Sequence, residues 1–266
     1  MAERGLDVFS LEGKVALVTG GGRGIGATIA RVFSEAGAAV AVTARTSDEV
    51  EAVASGINEA GGRAIAIAAD LFDVEQLPGI IDQTIEAFGG LDILVNNAGA
   101  GGSPLFVDTR IEDLQHAFHL MVAVPFELAR LALPYMLERP GASIINMTSV
   151  GAHRATRGNL AHHTAKAALA QLTCLMAADL GPKIRVNALV PAAVETPGLR
   201  AVFESRAPEM RQTIIDRTRL RRLGTPEDIA YAAVYLASPA AAWVTGTLLD
   251  ITGGTVDEIR QIAPDL

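Results

Sequence analysis

The apolar positions of this chain switch repeatedly between two periods. Lys14 to Thr19 is a short apolar run that ends at glycines. From Ile25 the apolar residues recur at Ile29, Val32 and Ala36, the spacing of one helix face, and Gly37 supplies a helix stop. Ala39 to Thr43 predicts a second strand and Ser47 to Ala60 a helix closed by Gly61-Gly62. Ala64 to Ala69 predicts a third strand, Asp73 to Phe88 a helix, and Asp92 to Val95 a strand running into Asn96-Asn97-Ala98-Gly99.

The second half continues the alternation. Ile111 to Leu137 predicts a helix bent at Pro125. Ser143 to Met147 predicts a strand, Leu160 to Asp179 a long helix apolar around most of its girth, and Ile184 to Leu189 another strand. Pro191 to Leu223 reads as a long irregular stretch with an amphipathic middle. Thr225 as N-cap and Pro226 at the first helical position start a helix to Leu236, and Thr247 to Ile251 is a last strand. Strands separated by helices of this length form a parallel sheet, and runs without polar alternation fit strands covered on both faces. The pattern therefore predicts an α/β fold: a Rossmann-type doubly wound parallel sheet of about seven strands in the order 3-2-1-4-5-6-7. It forms a single domain over 1–266.

Composition narrows the function classes. Half of the 266 residues are hydrophobic, which excludes a disordered chain. The 22 basic and 30 acidic residues give a net charge of −8 with no basic block, a poor basis for nucleic-acid binding. The single cysteine, Cys174, cannot form an internal disulfide, which fits a cytoplasmic protein. No signal-peptide core is visible at the start, and no uninterrupted apolar run reaches membrane-spanning length. Five histidines remain, with His162 and His163 adjacent.

Thr19-Gly20-Gly21-Gly22-Arg23-Gly24-Ile25-Gly26 joins the first strand to the first helix. Glycines there permit a tight turn and close approach of a pyrophosphate, and the helix start offers unpaired N–H groups. Dinucleotide sites that prefer NAD place a carboxylate at the end of the second strand to hold the ribose hydroxyls. Here the stretch is Val42-Thr43-Ala44-Arg45, and Arg23 lies in the loop itself. Two guanidiniums and no acid point to a 2′-phosphate, hence NADP(H).

With these motifs the sequence resembles the short-chain dehydrogenase/reductase family, and among its members the bacterial hydroxysteroid and oxoacyl reductases. The resemblance rests on Thr19–Gly26, on Asp70-Leu71, and on Asn96–Gly99. It also rests on Ile184-Arg185-Val186-Asn187 and on Arg222–Asp228, and runs from about Leu11 to Gly254. It implies a homotetramer. It implies cofactor contacts from Gly20, Gly22, Arg23, Gly24, Ile25, Gly26, Arg45, Asp70, Leu71, Asn97, Ala98, Gly99, Lys166, Pro191 and Thr196. The family's chemistry uses Asn, Ser, Tyr and Lys. The resemblance places Ser149 and Lys166 at two of these positions. At the tyrosine position, four before Lys166, stands His162, and at the asparagine position Met121. The three tyrosines are Tyr135, Tyr231 and Tyr235, all elsewhere. Pro191-Ala192 replaces the family's Pro-Gly.

Imidazole is a capable acid/base with a reference pKa near 6.5, and a neighbouring Lys166 ammonium lowers it. The first expectation is a working NADP-dependent oxidoreductase with Ser149 holding the substrate oxygen and His162 as acid/base. The second is reduction of an activated C=C or imine, which needs no strong general acid. The third is a silent cofactor-binding or partner subunit. Lys166 also serves the family as a ribose ligand, so its presence speaks first for cofactor binding. The stretch 192–223 is expected to be a substrate lid. Leu199, Val202, Phe203 and Met210 in it line either an apolar pocket for a small-molecule substrate or the lid's own buried side. His116 and His119 read as helix packing rather than metal ligands, since no third ligand is evident. Arg217, Arg219, Arg221 and Arg222 read as surface ion pairing with Glu227 and Asp228.

Overall fold

Each apolar run that alternates with a helix becomes a strand, and those of the sheet centre are buried. The computed structural model describes residues 5–99, 101–102, 104–206 and 208–255. The strands are β1 (Val15–Thr19), β2 (Ala39–Ala44), β3 (Arg63–Ala68), β4 (Ile93–Asn96), β5 (Ala142–Met147), β6 (Ile184–Pro191) and β7 (Leu248–Ile251). They form one parallel sheet in the order β3-β2-β1-β4-β5-β6-β7. Successive side chains leave a strand on opposite faces. Ala16, Val18, Val40 and Val42 therefore pack under α1 (Gly24–Glu35), α2 (Ser47–Glu59) and α9 (Pro226–Ala237). Leu17, Ala41, Leu94 and Ile144 face α3 (Leu77–Phe88), α5 (Val124–Leu137) and α6 (Leu160–Leu180). Phe33 on α1 has no exposed surface and anchors the first layer.

The punctuation residues act as their chemistry requires. Gly37 has φ +104°, and a Cβ there would stand 2.6 Å from the Glu12 carboxylate. Thr225 and Asp228 form a reciprocal capping box at the start of α9. The predicted third helix starts later than its pattern, because Asp73 first caps a single 3-10 turn, Val74–Gln76.

Two segments differ from expectation. The helix over Ile111–Leu137 does not simply bend. It runs as α4 (Ile111–Phe118), widens into a π segment at His119–Ala123, and resumes as α5. Pro125 has no N–H to donate to the carbonyl one turn back, at Met121, and the wider turn accommodates that loss. This helix is long and apolar enough to cross a membrane by composition, yet half of its apolar window is buried inside the domain. The stretch read as irregular holds two helices, α7 (Pro197–Arg206) and α8 (Pro208–Arg217). Thr196 starts α7, its Oγ1 accepting from Leu199 N at 3.2 Å. Phe203 is buried while Met210 is 42% exposed, so the apolar residues of this stretch do not share one lining face.

Candidate active site

The strand order reverses between β1 and β4, which opens a crevice beyond their C-terminal ends. The glycine loop fills one side. Gly20 and Gly24 take φ +63° and +56°, which favours glycine at both. A Cβ on Gly26 would lie 2.2 Å from the Gly20 carbonyl and 2.5 Å from Asn97 Nδ2, so only glycine lets α1 start this close to the loop. Thr19 and Asn97 lock the loop to β4. Asn97 Nδ2 donates to the Thr19 and Gly20 carbonyls at 2.9 and 3.2 Å, and the Asn97 and Ala98 amides donate to Thr19 Oγ1. Residue identity alone does not signal this role of Thr19.

The amides of Gly24, Ile25 and Gly26 open α1, where backbone donors have no partner one turn back and the helix dipole is positive. They face a cleft of about 310 Å³ lined by Gly20, Gly22, Arg23, Arg45 and Asn97 to Gly99, and by Thr196 just before α7. The loop glycines leave room for a pyrophosphate against bare backbone, so these residues fit a dinucleotide. Asp70 and Leu71 follow β3 at the same edge of the sheet. The Asp70 carboxylate accepts from the Phe72 amide at 3.1 Å. Neither they nor Pro191, at the end of β6, line the cleft itself. Glu49 does line it, one turn into α2. A search confined to the end of β2 passes over it.

The other side of Gly99 holds the candidate catalytic residues. Lys166, on the buried face of α6, is 4% exposed and donates to the Met147 carbonyl at 2.5 Å. Burial pushes its ammonium down to about 8. Lys166 Nζ and Met121 Sδ lie 3.4 and 3.6 Å from where a Cβ on Gly99 would stand. A thioether can accept only weakly and cannot donate. Met121 therefore adds an apolar wall, and the backbone oxygen of Met147 accepts the lysine's hydrogen bond. Ser149 follows β5, its Oγ accepting from the Gly151 amide at 3.2 Å.

His162 and Lys166 lie one turn apart on α6. The His162 ring borders a cavity of about 100 Å³ together with Met121, His116, Asp113 and Gly102. His163 turns the other way. Its ring packs where a Cβ on Gly151 would stand, and burial lowers its pKa against a hydrogen bond to the Arg154 backbone. His116 and His119 stack on Phe72 at 4.1 and 5.5 Å, which is helix packing. Among the described residues no cluster of three or more His, Cys, Asp or Glu could hold a metal ion. Arg222 forks onto Asp228 at 2.5 and 2.8 Å, a surface ion pair. Among described non-glycine residues only Arg221 has positive φ, so Ala192 adopts ordinary backbone where the family has glycine.

This architecture has close relatives. Residues 20–256 match a family described as enoyl-(acyl carrier protein) reductase. The chain belongs to the short-chain dehydrogenase/reductase family. It is 46% identical to an uncharacterised oxidoreductase of Mycobacterium tuberculosis, over 98% of this chain and 99% of the other. It is 41% identical to the 7α-hydroxysteroid dehydrogenase of Escherichia coli K12, over 96% and 98% of the two chains. A solved 7α-hydroxysteroid dehydrogenase in complex with NADH and 7-oxoglycochenodeoxycholic acid superposes with a TM-score of 0.91 at 40% identity, covering 96% and 99%. As a short-chain dehydrogenase/reductase the chain is an oxidoreductase of a family that binds a nicotinamide cofactor and acts on small molecules.

Proposed function

We propose that this short-chain dehydrogenase/reductase uses NADP(H) to move hydride to or from a carbonyl or hydroxyl carbon, with Ser149 holding the substrate oxygen and His162 as acid/base. The observation that carries this reading is the meeting at Gly99. A glycine cradle with free amides lies on one side, and Lys166 with Met121 on the other. The bound nicotinamide supplies or accepts the hydride. Gly20, Gly22, Gly24, Ile25 and Gly26 hold the pyrophosphate, and Arg23 and Arg45 hold the 2′-phosphate. Asp70 and Leu71 contact the adenine, while Asn97 to Gly99, Lys166, Pro191 and Thr196 complete the set. The stretch 192–223, with α7 and α8, closes over the substrate. Relatedness to hydroxysteroid dehydrogenases favours a bulky apolar alcohol or ketone.

An imidazolium at His162 donates in reduction, and a neutral imidazole accepts in oxidation. On this reading carbonyl reduction improves as pH falls. His162→Ala lowers it by about a hundredfold or more, the usual worth of a positioned acid/base. Full activity in His162→Ala at every pH removes His162 from the mechanism.

A second reading has its own support. The matched family is described by a C=C reduction, and Met121, beside Lys166 at Gly99, has a thioether that cannot donate. If the enzyme reduces enones or imines and leaves plain ketones untouched, in wild type and His162→Tyr alike, this reading replaces the first. NADPH binding without turnover on either panel assigns the chain a silent, cofactor-binding role.

The assembly we propose is a cytoplasmic homotetramer. Phe118 and Phe126 are exposed along the α4–α5 face, beside an apolar groove of about 450 Å³ between α4 and α6. His119, which lines that groove, keeps its Nε2 buried without a hydrogen-bond partner among the described residues. Light scattering of the purified chain should give four times the monomer mass.

A further inference from the structure

The end of β2 carries no carboxylate, yet the structure brings one back to the same place. Glu49 lies in the first turn of α2, one helical turn beyond Arg45. Its Cβ lies 2.9 Å, and its carboxylate 3.1 Å, from where a Cβ on Gly22 would stand. It lines the dinucleotide cleft beside Ala44, Arg45 and Thr46. Its Oε1 stands 3.7 Å from the Arg23 guanidinium, with the two side chains 37% and 70% exposed. A guanidinium in the glycine loop, facing the end of β2, is where a cofactor's extra phosphate would be met, and here it already has an anionic partner.

We propose that Glu49 sets the discrimination between the phosphorylated and unphosphorylated dinucleotide, by competing with a 2′-phosphate for Arg23. This inference rests on the dinucleotide reading of the cleft. A 2′-phosphate carries close to two negative charges at neutral pH. Binding it at Arg23 requires the ion pair to open, and leaves a carboxylate close to the phosphate. A ribose 2′-hydroxyl brings no charge and can donate a hydrogen bond to that carboxylate. Glu49 thus weakens NADP(H) and leaves NAD(H) untouched or mildly favoured. The preference of the two arginines for phosphate is held down without being abolished. The simpler role of Glu49, an acid favoured by the helix dipole at the start of α2, predicts no difference between the two cofactors.

The test measures binding rather than turnover. Dissociation constants for NADPH, NADH and 2′,5′-ADP, a probe without nicotinamide, are taken by calorimetry on wild type, Glu49→Gln, Arg23→Ala and the double variant. Glu49→Gln should tighten NADPH and 2′,5′-ADP by about three- to tenfold, as expected for removing one exposed charge interaction. It should leave NADH within about twofold or weaken it, and the gain should vanish in the Arg23→Ala background. Equal effects on NADPH and NADH, or none on either, overturn the proposal. So does a gain that persists without Arg23. Equal wild-type affinities for the two cofactors would defeat the NADP(H) preference alone, since the Glu49 effect is still read from the variants. Failure of wild type to bind either dinucleotide would overturn both readings.

Discussion

Lys166 shows how much one residue depends on what stands around it. Its ammonium is buried among apolar neighbours with the Met147 carbonyl as acceptor, and burial holds it at about 8 against an ordinary value of 10.5. The folded state therefore releases this proton earlier than the unfolded chain. Between about 8 and 10.5 the unfolded state binds more protons, so the burden of the buried charge on stability is full below 8 and lifts as pH rises through that window. Comparing urea denaturation of wild type with Lys166→Met should isolate a pH-dependent difference of up to about 3 kcal/mol. A difference that stays flat across the window would show that Lys166 is not desolvated in this way. A lysine four residues beyond His162 is legible in the sequence. Its acceptor is not, because a backbone oxygen carries no residue-type signal. Glu49 escaped for a related reason: its approach to the cleft depends on the course of α2 and not on the strand that precedes it.

At the scale of elements, most of the chain announces itself. β1, β2 and β5 are apolar runs bounded by glycine or a helix pattern, and α9 carries both its cap and its proline. Helices α7 and α8 are harder to read because they are short, polar and weakly amphipathic, so no single apolar stripe marks them. The π segment is hidden for another reason. Its residues keep a helical pattern, and only the position of Pro125 against Met121 forces the extra residue into the turn. The cap of α9 gives a direct test. Arg222 lowers Asp228 to about 2, and Asp228 also accepts from the Thr225 backbone amide. That stabilisation is present above the ordinary pKa of 3.8 and is lost as pH falls toward 2. Asp228→Asn should cost about 1 kcal/mol at neutral pH, with a smaller deficit near pH 2. The deficit is measured by thermal unfolding at both pH values.

For the whole molecule, the sheet order was readable because parallel strands need crossovers and every crossover here is helical. Stability is concentrated in the two apolar layers. Phe33, with no exposed surface between the sheet and its helices, should cost about 3–5 kcal/mol as Phe33→Ala in chemical denaturation, with the dinucleotide cleft kept. The candidate site lies where the two layers end, so its parts come from β1, α1, β4, the π segment and α6. No single stretch of chain contains it: its motif residues were legible one by one, while the Met147 acceptor of Lys166 and the approach of Glu49 to the cleft needed the fold.

The π turn at His119–Ala123 also bears on how this protein can change by insertion and deletion. A wide turn is an ordinary helix holding one surplus residue. Removing a single residue there would close the segment into an ordinary α-helix and leave its two flanks nearly in line, because the wide turn absorbs its extra residue within itself. Ala117 would keep its packing against α6, and His116 its place on the cavity it shares with His162. The change would fall on the turn itself, where Met121 and its neighbours would lose the spacing that sets their directions. A one-residue deletion inside α4 or α5 would instead turn one flank by about 100° against the other.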